Sequence, residues 1–238
     1  MNQEEKEQIL KKAQKWFKQS IAQNHIKNTK KLKDASNFDI NPFLAVYLSN
    51  FLTGKSKSKG IAKALLYPRV LGTSITTSFG TNIQKFTNEV LSSFGSTTTG
   101  IDIEFIDQIN KNKIYCQLKS GPNTINKDDV ETIAGHFKNV INLGRTNNLR
   151  ITHNDMVVGI IYGTTESLNG HYRRIQNDYG YPIYIGKDFW HRLTGDENFY
   201  ADLVKAIGKV AVKADFKKEL KEVIDELAMS PEIQDLAD

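Results

Sequence analysis

Residues 155–163, DMVVGIIYG, constrain the fold more than any other stretch of the chain. They are almost continuously apolar, without the polar and apolar alternation of a half-exposed strand. A strand of that texture is stable when both of its faces are covered. The cover has to come from the helical patterns around it. SFGTNIQKFTNEVLSSFGS reads as a helix with Thr81 as N-cap and Ile83, Phe86, Val90 and Leu91 turned inward, and a longer helix is expected from about Lys127 to Leu143. Between them lie the strand Asp102 to Asp107, a turn in DQINKNK, and the strand IYCQLK. After the apolar strand comes a polar stretch from Thr164 to Tyr181, read as a long loop, then the strand YPIYIG and two or three closing helices from Asp188. This order predicts an α/β fold with a central mixed sheet flanked by helices, an N-terminal helical extension and C-terminal helices.

The N-terminal third is helical by spacing. Ile9, Leu10, Ala13, Trp16, Phe17 and Ile21 recur on one face of residues 3–22, followed by a polar, lysine-rich connection. Pro42 to Leu52 suits a second helix, entered after Asn41 and left at Gly54. GIAKALLYPRVLG suits a third, broken near Tyr67 by Pro68. With 238 residues the chain is long enough for one substantial domain with helical additions.

Several function classes are disfavoured. No apolar run is long enough to span a bilayer, and the charged, amphipathic N-terminus is unlike a signal peptide, so a cytoplasmic protein without membrane contact is expected. A single cysteine, Cys116, excludes an internal disulfide framework and a thiolate zinc site, and it reads as a core thiol. His25, His136, His153, His171 and His191 lack metal-ligand spacing, and His136, inside a helix, reads as structural. Neither a phosphate-loop nor a GxSxG pattern occurs. The 32 Lys and Arg against 27 Asp and Glu leave a net charge of +5, compatible with a polyanionic partner.

The hairpin carries the chemistry. Residues two apart on a strand share a face, which pairs Asp102 with Glu104 and Gln117 with Lys119. An acid, an amide and an ammonium then meet at one sheet edge. Oxygen donors of this kind suit a hard divalent cation, and a lysine beside them suits the holding of an attacking water.

Asp102 followed by Gln117-Leu118-Lys119, with a helix on either side and a Gly/Ser/Thr loop before the aspartate, resembles the PD-(D/E)XK nuclease superfamily. The size of the chain and the stretch QLKSGPNTINKDDVETI resemble a type II restriction endonuclease. The resemblance covers roughly residues 78–190. It implies a restriction-endonuclease-like core and Mg²⁺-dependent phosphodiester hydrolysis, with Asp102 and Gln117 at the metal and Lys119 near the attacking water. Gln117 stands where the family usually has an acid, and its carboxamide oxygen carries no charge. Either Glu89 on the preceding helix or Glu104 could restore a carboxylate.

On this reading residues 1–75 form a helical region for dimerisation and DNA contacts, and residues 76–238 form the nuclease core with its C-terminal helices. Double-stranded DNA is the expected partner. Asn169, His171, Arg173, Arg174, Gln176 and Asn177 in the polar stretch are candidate base or phosphate readers, and Lys30, Lys31, Lys33, Lys55, Lys57, Lys59 and Arg69 are candidate phosphate contacts. One candidate site per chain predicts a homodimer for cutting both strands of a palindrome. A repair or junction nuclease of the same fold, or a catalytically weakened DNA-binding module, are the alternatives.

Overall fold

The computed structural model describes residues 1–213 and 216–237. In chain order the helices of the first part are α1 (Gln3–Trp16), α2 (Gln23–Lys30), α3 (Pro42–Thr53), α4 (Ser58–Pro68), α5 (Ile75–Thr81) and α6 (Ile83–Val90). Then come β1 (Ile103–Ile106), β2 (Lys113–Lys119), α7 (Lys127–Thr146), β3 (Met156–Ile160), α8 (Gly170–Tyr179) and β4 (Ile183–Ile185). The chain closes with α9 (Lys187–Thr194), α10 (Phe199–Lys213), α11 (Lys217–Leu227) and α12 (Pro231–Gln234). The fold is the expected mixed α/β type, and it divides into two compact units: residues 1–16 with 80–208, and residues 17–79 with 209–238.

The first unit is built on a four-stranded sheet in the order β1-β2-β3-β4, with β1 antiparallel to β2 and the other neighbours parallel. Every residue of β3 is buried, as its unbroken apolar sequence requires. One face of the sheet packs Tyr115, Val158, Ile160 and Ile185 against Val130, Ile133 and Phe137 of α7 and Tyr172 and Ile175 of α8. On the other face an aromatic series runs from Trp16 of α1 to Phe86 of α6 (centroids 4.9 Å, edge to face), on to Trp190 of α9 (6.2 Å), and to Phe189 beside it. Gly159 in β3 makes the approach of α9 possible. A Cβ there would lie 2.7 Å from both the Cys116 sulfur and the Phe189 ring, closer than packed atoms tolerate.

The second unit is helical, with Ile61, Ala62 and Leu66 of α4 and Val223, Ile224 and Leu227 of α11 at its core. Three expectations are corrected here. The N-terminal helix does not run unbroken to residue 22: Phe17–Ala22 is a wider π turn, and helix resumes over Gln23–Lys30 where a connection was expected. The buried Thr29, its hydroxyl donating to the His25 carbonyl at 2.8 Å, and the 2.9 Å bond from the His25 ring to the Val70 carbonyl give that polar segment its interior face. Pro68 does not break the third helix near Tyr67: α4 runs through it and passes directly into the π turn Arg69–Ser74. Among the described residues four closing helices follow β4, one more than the upper expectation.

Candidate active site

β1 opens at Ile103, opposite Cys116, and just before it the Asp102 N–H also turns to β2, donating to the Cys116 carbonyl at 3.0 Å, which seats Asp102 at the strand end against the Cys116–Leu118 stretch. The Asp102 carboxylate is tied by its Oδ2, which accepts the Leu118 N–H at 2.7 Å. Asp102, Gln117 and Lys119 are all half-buried. Burial pushes the Asp102 carboxyl above its ordinary value, against the Leu118 N–H and the positive charge of Lys119, which favour the anion.

Gln117 is held from the far side of the site. Its Nε2 lies 3.0 Å from Nδ1 of His136, on α7. Its Oε1 is buried and has no hydrogen-bond partner among the described residues. A buried carboxamide oxygen without a donor is uncommon, and here it shares a strand-end face with a carboxylate. Mg²⁺ takes oxygen donors and is commonly bound through one or two carboxylates with waters and substrate phosphates. The residues present therefore fit such an ion as an oxygen set made by Asp102 and Gln117. Among the described residues, no group of three or more His, Cys, Asp or Glu side chains is arranged to hold a metal.

The other sequence candidates lie in different surroundings. Glu104 accepts from the Ser96 hydroxyl at 2.6 Å and the Thr98 hydroxyl at 3.0 Å, and pairs with Lys113 at 2.8 Å. Partial burial opposes its charge, but Lys113 and the two hydroxyls outweigh it and hold the carboxyl below its ordinary value. Glu89 is an exposed residue of α6, 3.7 Å from Lys85.

The stretch read as a long loop is largely helical. Asn169 caps α8 by accepting the His171 and Tyr172 N–H groups at 3.0 and 3.1 Å, and Gly180 ends the helix in the left-handed conformation. Arg173 reaches the Leu168 and Glu166 carbonyls, each at 3.3 Å, and Arg174 pairs with Asp178 at 3.4 Å. Gln176 and Asn177 are exposed. Lys30, Lys31, Lys33, Lys55, Lys57, Lys59 and Arg69 belong to the helical unit and are exposed; Lys33 pairs with Glu226 at 3.0 Å and Lys59 with Asp225 at 2.7 Å. His136 was missed as a partner of the site. Its place on a helix after the QxK strand is visible in sequence, but the register of α7 against β2 is not.

No helix among the described residues is long and apolar enough to cross a membrane. No curated protein matches the chain. Residues 7–215, most of the length, match the family of the type II restriction endonuclease EcoO109I. With its mixed sheet and its aspartate and QxK lysine on one hairpin, the chain belongs to the EcoO109I family of type II restriction endonucleases.

Proposed function

We propose that the protein is a Mg²⁺-dependent endonuclease that hydrolyses phosphodiester bonds of duplex DNA at a short specific sequence. The observation that carries this reading is the 2.7 Å bond from the Leu118 N–H to the Asp102 carboxylate, which holds that carboxylate at the stretch of β2 where Gln117, with its unpartnered oxygen, and Lys119 flank Leu118. Asp102 and Gln117 would hold the cation, which supplies Lewis-acid polarisation of the phosphate and neutralises its charge when bound. Lys119 orients the attacking water by donating to its oxygen and faces the phosphate with positive charge. The Leu118 N–H fixes the Asp102 carboxylate so that it does not have to reorganise when substrate arrives. Water adds to phosphorus and gives up a proton to solvent, the bond to one ester oxygen breaks, and that oxygen takes up a proton from solvent, leaving a hydroxyl end and a phosphate monoester end. Incubation with a mixed-sequence plasmid and Mg²⁺, followed by sequencing of the fragment ends, tests the reading. A common sequence at the ends is expected, with activity also in Mn²⁺ and none in chelator. Intact plasmid, or ends without a shared sequence, refutes it.

The working form in this proposal is a homodimer, supported by α3. Phe43, Tyr47 and Phe51, spaced four apart on one stripe, are 85%, 62% and 75% exposed, and Leu44, Leu48 and Leu52 line the next stripe, also exposed. With aromatic side chains of ~200 Å² each, these six offer roughly 700 Å² of apolar surface, near the ~800 Å² per partner of a standard interface and above the largest patches usual on monomers. No charged residue occurs from Pro42 to Thr53. A face without charge has nothing to steer an ionic partner and suits a second copy of itself about a two-fold axis.

A further inference from the structure

A carboxylate presents oxygen whichever way its end is turned, but a carboxamide has a wrong way round. Turned by half a revolution, the Gln117 side chain would offer an NH₂ group to a cation, at almost no steric difference. Something must fix the orientation, and α7 brings it. The amide nitrogen has only hydrogens to give, so across the 3.0 Å contact the His136 Nδ1 is the acceptor, and the ring carries its proton on Nε2. The amide oxygen is thereby turned away from the ring, and it is the buried oxygen without a partner. The ring is seated in its turn by Gly100, whose φ of +81° and missing side chain let the loop before Asp102 close over it. A Cβ at Gly100 would lie 2.6 Å from His136 Cγ. The same loop therefore carries Asp102 and the seat of the ring that orients Gln117.

We propose that His136 is a positioning residue: by accepting from Gln117 Nε2 it directs the carboxamide oxygen at the cation site, a task that arises because residue 117 is an amide. The inference rests on the reading of Gln117 as a metal ligand. It also links two features that sequence treats separately, the departure from an acid at 117 and a histidine within the following helix.

A double-mutant cycle tests it on the full chain without DNA. Divalent binding is measured by Mn²⁺ titration followed by electron paramagnetic resonance for the parent, Gln117→Ala, His136→Phe, Gln117→Glu and the Gln117→Glu/His136→Phe pair. His136→Phe keeps a ring over Gly100, and His136→Ala is measured beside it in case the larger side chain disturbs folding. Loss of the orienting partner is expected to weaken Mn²⁺ binding by roughly 10-fold or more in the parent background, the scale at which supporting partners of metal ligands act. In the Gln117→Glu background the same substitution should change binding less than ~2-fold, because both ends of a carboxylate are oxygen. Equal losses in the two backgrounds, or no loss in the first, overturn the proposal. Unchanged Mn²⁺ binding in Gln117→Ala removes the ligand reading itself and the inference with it. Weakened binding in Gln117→Ala with normal binding in both His136 variants removes the inference alone.

Discussion

Replacing Arg192 with Met isolates one buried charge that anchors the β1-β2 hairpin. Asp107, just after β1, is 0% exposed. Its Oδ2 receives Arg192 Nη1 at 2.8 Å, and its Oδ1 accepts the N–H groups of Ile109 at 2.8 Å and Asn110 at 3.4 Å. Arg192 also reaches Asp188 through Nε, at 3.0 and 3.1 Å, and its guanidinium carbon lies 4.3 Å from the Tyr184 ring centroid. The Asp188 pair is largely solvent-exposed and worth at most ~1 kcal/mol, and the ring contact contributes a similar ~1 kcal/mol. Asp107 decides the outcome. Stripped of its counter-charge, a fully buried carboxylate costs about 3–5 kcal/mol. The two remaining backbone donors keep Arg192→Met near the lower end, ~3 kcal/mol. Urea unfolding followed by tryptophan fluorescence reads the change at Trp190, close to the pair in sequence. At a slope of ~2 kcal/mol/M the midpoint should fall by roughly 1.5 M. In the Asp107→Asn/Arg192→Met double variant the charge is gone and an amide oxygen still accepts the loop N–H groups, so at least half of the loss should return. A single variant within ~0.5 kcal/mol of the parent, the range of unremarkable surface changes, or a double variant no better than the single, refutes the reasoning.

Asp102→Ala and Lys119→Ala should each abolish cleavage and leave circular dichroism unchanged, since both are half-buried at a strand end; near-normal turnover in either would remove the site assignment. Asp102→Asn should stabilise the metal-free protein at neutral pH. The Asp102 carboxyl is raised in the folded state chiefly by burial, so its contribution favours folding below the unfolded carboxylate value and is lost as pH rises through the folded one. A gain of about 1 kcal/mol, read as ~2–4 °C in thermal midpoint, is expected at pH 7, shrinking in acid. A gain that grows as pH falls contradicts that sign. Phe43→Glu/Phe51→Glu should yield monomers in sedimentation; an unchanged dimer would mean that α3 is not the self-interface.

The sheet, with its β1-β2 hairpin, is legible because its signals are local. Alternation in IEFI and KIYCQLK fixes which residues share a face, and unbroken apolarity in MVVGI demands cover on both sides. The helix α8 was not recognised because, of its ten residues, Tyr172 and Ile175 alone are buried, too sparse a stripe to stand out in GHYRRIQNDY. Its ends did carry signals, Asn169 as N-cap and Gly180 as C-cap. The π turns at Phe17–Ala22 and Arg69–Ser74 left no periodic trace, since each widens a helix whose flanking residues still read as helical. Glu104 shows where same-face arithmetic stops: it shares a face with Asp102, but the choice of Lys113, Ser96 and Thr98 as its partners depends on how the preceding loop lies.

The threading of the sheet-bearing unit bears on how the protein is made. Lys6 of α1 pairs with Asp196 at 2.5 Å and Asp202 at 2.7 Å, and the Gln14 amide donates to the Ala206 carbonyl at 2.9 Å. At ribosomal speeds the earliest of these residues emerge roughly 10–40 s before their partners. Until then Ile9, Ala13 and Trp16, all buried in the finished unit, have an incomplete surface to cover them. The segment holding Asp102, Gln117 and Lys119 leaves the ribosome in the middle of this interval, when the last helices of its own unit do not yet exist. The threading thus delays completion of the sheet-bearing unit until its last helices have been synthesised.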